Sequence, residues 1–293
     1  MLYNTFSIVA CDLDEQAWGV AVASKFLAVG SAVSWAKAEV GAVATQAYTK
    51  IGFGPEGLAL LSEGKMASEV LEILLAKDIG MATRQVAIVD ARGGIAAHTG
   101  NQCHDWAGHK IGQNFSCQGN ILTGPETLDA MATSFSSTSG ELADRLVGAL
   151  AAGDVTGGDR RGKQSAAVLV VRPQGGYGGD TDRYLDLRVD DDPEPVRKLR
   201  ELVSIHHIFF GETRPGDLEK IDEVMAGKLQ MLLKQEGYYS GELHGRWDDA
   251  SKQAFWALVC NENLEERWNV DRQPEMIDLV VLNYLQRRYG YAN

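Results

Sequence analysis

The 293-residue chain has only four cysteines, Cys11, Cys103, Cys117 and Cys260. They are scattered without CxxC spacing, which excludes a disulfide scaffold or a zinc ribbon and predicts reduced thiols. No apolar run reaches membrane-spanning length, and no basic-then-apolar leader precedes the first strand signal. A cytoplasmic protein without membrane contact is therefore expected. Basic residues are also scarce: 28 Lys and Arg face 40 Asp and Glu, a formal charge of -12. That balance argues against nucleic acid as a partner. Neither a Walker motif nor a GxSxG elbow is present.

Strand patterning is abundant. Thr5-Phe-Ser-Ile-Val-Ala-Cys-Asp12 and Trp18-Gly-Val-Ala-Val-Ala-Ser-Lys25 flank a polar turn and read as an antiparallel hairpin. Such a hairpin brings the end of the second strand beside the start of the first. Thr5 and Lys25 would then meet at one sheet end, a hydroxyl beside an amine. Gly30–Ala36 and Gly41–Gln46 read as two further strands. Two helices are expected at Pro55–Glu63 and Ala67–Ala76. Strands follow at Arg84–Asp90, Gly94–Thr99, around Lys110 and at Phe115–Gln118. Helices Glu126–Phe135 and Gly140–Ala151, strands Ser165–Val171 and Tyr184–Val189, and helix Pro195–Phe209 complete the larger part. Strands and helix pairs in this order predict an α+β fold of antiparallel sheets with helices layered outside. Gly211–Asp217 reads as a linker between a domain at 1–210 and a helical one at 218–293.

Several segments carry candidate chemistry. Gln118-Gly119-Asn120 ends a strand just before a helix start, where amide donors suit an oxyanion or a substrate carboxylate. Asp159, Arg161 and Ser165 surround a glycine-rich loop: the Asp to orient a nucleophile, the Arg to hold a carboxylate. His98, Cys103, His104 and His109 crowd one stretch, but their spacing across two alternating strands disfavours a metal site. His98 is expected to line the substrate site instead. Gly52-Phe-Gly54-Pro-Glu-Gly57 is a formal GxGxxG, yet Pro55 and Glu56 stand where a pyrophosphate needs donors. Trp247, Phe255, Trp256, Tyr238 and Tyr239 read as the core of a small helical domain.

Eight ordered motifs resemble one bacterial family of unknown function placed in the N-terminal-nucleophile (Ntn) hydrolase superfamily. They are Thr5-Phe-Ser-Ile-Val-Ala10, Gly19-Val-Ala-Val-Ala-Ser-Lys25, Gly41-Ala-Val-Ala-Thr-Gln46, Val89-Asp-Ala-Arg92, His98-Thr-Gly100, Trp106-Ala-Gly-His109, Cys117-Gln-Gly-Asn120 and Gly157-Gly-Asp-Arg-Arg-Gly-Lys-Gln-Ser165. The resemblance implies a four-layer αββα sandwich and a small-molecule substrate. It further implies hydrolysis of a small amide or related C–N bond, without metal or organic cofactor. Thr5 would attack, with Lys25, Asp159 and Asn120 as catalytic partners. Gln46, His98, Gln118, Arg161 and Ser165 would contact the substrate. In that superfamily the nucleophile's own α-amine is the base, but here Met-Leu-Tyr-Asn precedes Thr5. Either the Asn4–Thr5 bond is cut or Lys25, its pKa lowered by burial, takes the proton. A non-catalytic binding protein on the same scaffold is the alternative.

Leu229-Gln230, Leu233, Gly237-Tyr-Tyr-Ser-Gly241, Gly245 and Ala254-Phe255 resemble the small three-helix peptidoglycan-binding fold. This implies an all-α C-terminal domain with a glycan as candidate partner. Exposed sandwich edges also lead us to expect a homo-oligomer.

Overall fold

The computed structural model describes residues 2–290 apart from Asn4, Asp105, Glu212 and Arg214. The Asn4–Thr5 bond and part of the expected linker thus lie outside the described residues. The chain forms two compact units, Met1–Val203 and Ser204–Asn293.

In the first unit the elements run β1 (Leu2–Tyr3), β2 (Thr5–Asp12), β3 (Ala17–Ser24), α1 (Gly30–Val33), β4 (Ser34–Lys37), β5 (Gly41–Tyr48), α2 (Phe53–Ser62) and α3 (Ala67–Ala76). They continue as β6 (Arg84–Asp90), β7 (Ile95–Thr99), β8 (Gly108–Gly112), β9 (Phe115–Gly119), α4 (Glu126–Ser137), α5 (Leu142–Val155), β10 (Ser165–Val171), β11 (Arg183–Val189) and the first half of α6 (Pro195–Phe210). One sheet has the order β11-β10-β3-β2-β9-β8; the other has β1-β5-β6-β7, with β4 also paired to β5. Every pairing is antiparallel.

Alternation along the strands builds the layers. Phe6, Ile8 and Ala10 of β2 pack with Leu128, Met131 and Phe135 of α4 and Leu146 and Leu150 of α5. Val9 and Cys11 of the same strand face the other way, among Ala42 and Ala44 of β5 and Ala87 and Val89 of β6. Val86 and Ile88 of β6 meet Val70 and Leu74 of α3. Helices, sheet, sheet, helices: this is the four-layer αββα sandwich. All seven residues of β10 are buried, because both of its faces are covered, and its sequence is accordingly one apolar run.

One local reading changes. Gly30–Ala36 is not a single strand: it is the short helix α1 followed by β4. Ala28 takes a positive φ of 52°, and Val29 N donates to Ser165 Oγ at 3.1 Å, so the chain turns before any strand can start. A Cβ on Gly30 would stand 2.2 Å from the Ala167 Cβ, so only glycine lets the helix approach the sheet. The GxGxxG run likewise serves packing. A Cβ on Gly54 would fall 2.3 Å from the Trp35 ring.

The division between units falls inside α6 rather than in the expected 211–217 linker. Val196, Leu199 and Val203 belong to the sandwich core, whereas Ile208 and Phe209 pack with the core of the second unit. There Arg267 Nε donates to the Ile208 carbonyl at 3.1 Å. The second unit holds β12 (Leu218–Lys220), α7 (Glu223–Gln235), α8 (Asp249–Asn261), β13 (Met276–Asp278) and α9 (Leu279–Tyr289). Helices α7, α8 and α9 each start at an aspartate, Asp222, Asp248 or Asp278, whose carboxylate accepts a first-turn backbone N–H,. The expected all-α domain therefore gains a two-stranded ribbon, β12 against β13. Phe255 and Trp268 stack edge-on at 4.7 Å in its core. A buried ion pair, Arg267 Nη1 to Asp278 Oδ2 at 2.9 Å, ties the loop after α8 to the start of α9. Among the described residues no helix is long and apolar enough to cross a membrane.

Asp78, after α3, is the polar pin of the outer helix layer. Arg84 at the start of β6 reaches it from Nε at 2.6 Å and Nη2 at 3.3 Å. That contact, opposed by burial, holds the Asp78 carboxyl below the usual carboxylate range. A depressed folded pKa contributes stability above the unfolded value, near 4, that is lost as pH falls through the folded one. Asp78→Asn is expected to cost roughly 1–3 kcal/mol at pH 7, the worth of charge-assisted hydrogen bonds. Urea denaturation should show the deficit shrinking below about pH 4.

Candidate functional site

The layer between the sheets is apolar along most of its length and polar at one end. At that end the inward positions of five strands carry Thr5 and Ser7 (β2), Ser24 (β3), Gln46 (β5), Gln85 (β6), Ser116 and Gln118 (β9), followed by Asn120. Each of these side chains is 2% exposed or less. Burying so many polar groups is tolerable only if they satisfy one another.

Gln85 organises the network. Its Nε2 donates to the carbonyls of Gly108 at 3.0 Å and Gly119 at 2.8 Å, and Thr99 Oγ1 lies 2.9 Å from the same nitrogen. Backbone carbonyls only accept, so the orientation of the Gln85 amide is fixed. Its Oε1 must then be the acceptor, and it takes Gln46 Nε2 at 2.8 Å and Asn120 Nδ2 at 2.9 Å. Gln46 Oε1 accepts from Ser7 Oγ at 2.7 Å. Ser7 Oγ in turn accepts from Gln118 Nε2 at 2.6 Å, and Gln118 Oε1 accepts from Ser116 Oγ at 2.9 Å. Two carbonyls thereby set the direction of each hydrogen bond in this relay.

Thr5 begins β2 at the rim of this network. Asn120 N and Gln46 Nε2 donate to its carbonyl at 3.0 and 3.3 Å. Its Oγ1 donates to Ser24 Oγ at 3.3 Å. Ser24 is the register partner of both Thr5 and Ser165, giving a row of three hydroxyl residues across β2, β3 and β10.

Lys25 requires a correction. It lies one residue past the register partner of Thr5, and successive side chains leave on opposite faces. It is exposed, and its Nζ donates to the Lys163 carbonyl at 3.2 Å. The expected meeting of hydroxyl and amine becomes one of hydroxyl and hydroxyl. His98 is displaced for the same reason of alternation. It pairs with Val86 on the helix-facing side of its sheet, with Nε2 2.9 Å from the Met81 carbonyl.

Asp159 is buried, but its carboxylate is fully occupied. Oδ2 accepts from Lys25 N at 3.0 Å and from Arg161 Nη2 at 2.7 Å. Oδ1 accepts Arg161 N and Nε at 3.0 and 3.1 Å. Asp159 therefore clamps the end of β3, and with it Ser24, to the glycine-rich loop. Arg161 spends its guanidinium edge on that clamp. Ser165 Oγ donates to the Phe26 carbonyl and accepts from Val29 N, which secures the turn after β3. Gln118 and Asn120 both direct their amide nitrogens at network partners, not outward as oxyanion donors.

Sequence reasoning overlooked Ser7, Gln85, Ser116, Thr99 and, as part of this site, His109. The signal was present: Gln85 shares its strand parity with Ala87 and Val89, an amide on an otherwise apolar inward face. His109 Nδ1 lies 2.9 Å from Thr99 Oγ1. Partial desolvation of the ring, and then the neighbouring His98, hold the His109 pKa below its usual value. Among the described residues the site is accordingly neutral apart from the Asp159–Arg161 pair behind it.

A four-layer sandwich with a neutral polar cluster between its sheets defines the class of protein. The chain belongs to the family described as "Family of unknown function (DUF1028)", whose model matches residues 5–199. The model described as "Putative peptidoglycan binding domain" matches residues 209–285. The crystal structure of protein SPO2555 from Silicibacter pomeroyi, of the same DUF1028 family, is similar at 30% identity and a TM-score of 0.64. The match covers 70% of this chain and 89% of that one. No curated protein matches this chain.

Gln85→Met keeps volume but leaves two carbonyls without their donor and two amides without their acceptor. Denaturant unfolding should show a loss of at least about 2 kcal/mol, since each orphaned buried group costs about 1–3. Gln85→Glu should be no milder, because a carboxylate cannot donate to the two carbonyls.

Proposed function

We propose that the sandwich is an Ntn-type hydrolase of a small amide or related C–N bond, with Thr5 as nucleophile. The observation that carries this is the position of Thr5: first residue of a central strand, at the rim of the buried polar cluster, with its hydroxyl on Ser24. The displacement of Lys25 leaves the α-amine of Thr5 as the base, which requires cleavage of the Asn4–Thr5 bond. That amine would take the Oγ1 proton as oxygen attacks the acyl carbon, then pass it to the departing nitrogen. Water would hydrolyse the resulting threonyl ester. Asp159, through its hold on Lys25 N, keeps Ser24 facing the nucleophile as a positioning residue.

Intact mass and N-terminal sequencing are expected to show a population that starts at Thr5. In an amide and ureide screen, Thr5→Ala should lose activity at least about 100-fold, because the covalent route disappears. Activity that survives Thr5→Ala would overturn the reading.

The occupied donors of Gln118 and Asn120 favour a second reading, a binding protein that uses the same cluster without turnover. Binding of small amides by a chain that stays uncleaved and inactive would select it. For the second unit, the family match supports glycan association. Co-sedimentation with purified peptidoglycan at low salt is the expected outcome, and no retention would remove it.

A further inference from the structure

Within the buried network every proton direction follows from the two carbonyls that fix Gln85, and one acceptor is left over. Asn120 is 1% exposed. Its Nδ2 is committed to Gln85 Oε1, so Oδ1 is turned away from Gln85, and among the described residues it has no hydrogen-bond partner. The opposite orientation would set Oδ1 against Gln85 Oε1, acceptor against acceptor. Gln85 cannot turn to relieve that clash, since its nitrogen serves Gly108 O and Gly119 O. The orphan is therefore enforced by the network. A buried amide oxygen without a donor costs about 1–3 kcal/mol, and this one belongs to the residue whose own backbone N–H holds the Thr5 carbonyl.

We propose that Asn120 Oδ1 is a specificity-determining acceptor that takes an N–H from a neutral ligand, making the substrate class primary or secondary amides and ureides. This rests on the proposed site around Thr5 and replaces the oxyanion role expected for Asn120. A carboxylate is disfavoured because it would bring a second acceptor to the oxygen. An ammonium is disfavoured because the nearby carboxylate, Asp159, is already paired with Arg161, and a desolvated cation needs its own counter-charge. Amides bearing two N-alkyl groups lack the donor altogether.

Acetamide and N,N-dimethylacetamide share a carbonyl and differ in N–H groups, so they serve as probes of the full-length protein. Titration followed by 15N–1H spectra, with the Asn120 side-chain signals assigned by their loss in Asn120→Ala, reads binding directly. Acetamide should shift those signals and bind roughly fivefold more tightly than dimethylacetamide, the discrimination expected of one neutral hydrogen bond. Asn120→Ala should abolish the preference; the wild-type comparison stands even if that variant does not fold. Equal binding of both probes, or no perturbation by either in the millimolar range, overturns the inference. N–H selectivity without turnover would defeat only the hydrolase reading. Turnover that treats dimethylated and primary amides alike would defeat only this one.

Discussion

The donation of one glutamine amide to two backbone carbonyls governs the rest of the site. Gln85 Nε2 faces Gly108 O and Gly119 O, which belong to the opposite sheet, so this side chain stitches the two sheets together at their polar end. From that constraint follow the orientations of Gln46, Asn120, Ser7 and Gln118. A buried network of this kind is stable only when nearly complete, because low local polarity strengthens each bond made and penalises each one missing. The open acceptor on Asn120 stands out for that reason.

The inter-sheet layer divides stability from chemistry along its length. Its larger part is filled by Val9, Val20, Val22, Ala44, Ala87 and Leu169, small and branched side chains that bring the sheets close. Toward one end the same strand faces turn to serine, threonine and glutamine. Among the described residues charge is kept out of the layer: Asp159 and Arg161 neutralise each other at its edge, and Lys25 and His98 leave on other faces. The resulting environment suits a neutral guest and a hydroxyl nucleophile better than an ionised one.

The second unit is built on separate physics, a compact apolar core around Phe255 and Trp268 with aspartate caps and one buried ion pair. Gly237, at a φ of 81°, makes the turn that ends α7. Its tryptophans serve that core: Trp268 is buried, and Trp247 donates its indole N–H to the Pro274 carbonyl at 2.6 Å.

Much of the sandwich is legible in the sequence because burial on two faces leaves a plain mark. The run Ser165–Val171 is apolar throughout, and the alternation of Thr5–Asp12 separates two cores residue by residue. The helix Ala67–Ala76 coincides with its leucine spacing, and the aspartate-led starts of α7 and α8 are local signals. Gly30–Ala36 was not legible, since its turn depends on a hydroxyl from Ser165, distant in the chain. The amino-acid sequence by itself determined the layers, the strand faces and the supply of hydroxyl and amide side chains at one end, because these follow from period and composition. Only the tertiary structure decided that Ser24 rather than Lys25 faces Thr5, that His109 rather than His98 joins the network, and that Asn120 offers an acceptor. Those outcomes depend on register and on hydrogen-bond direction between strands far apart in sequence, and no local pattern encodes either.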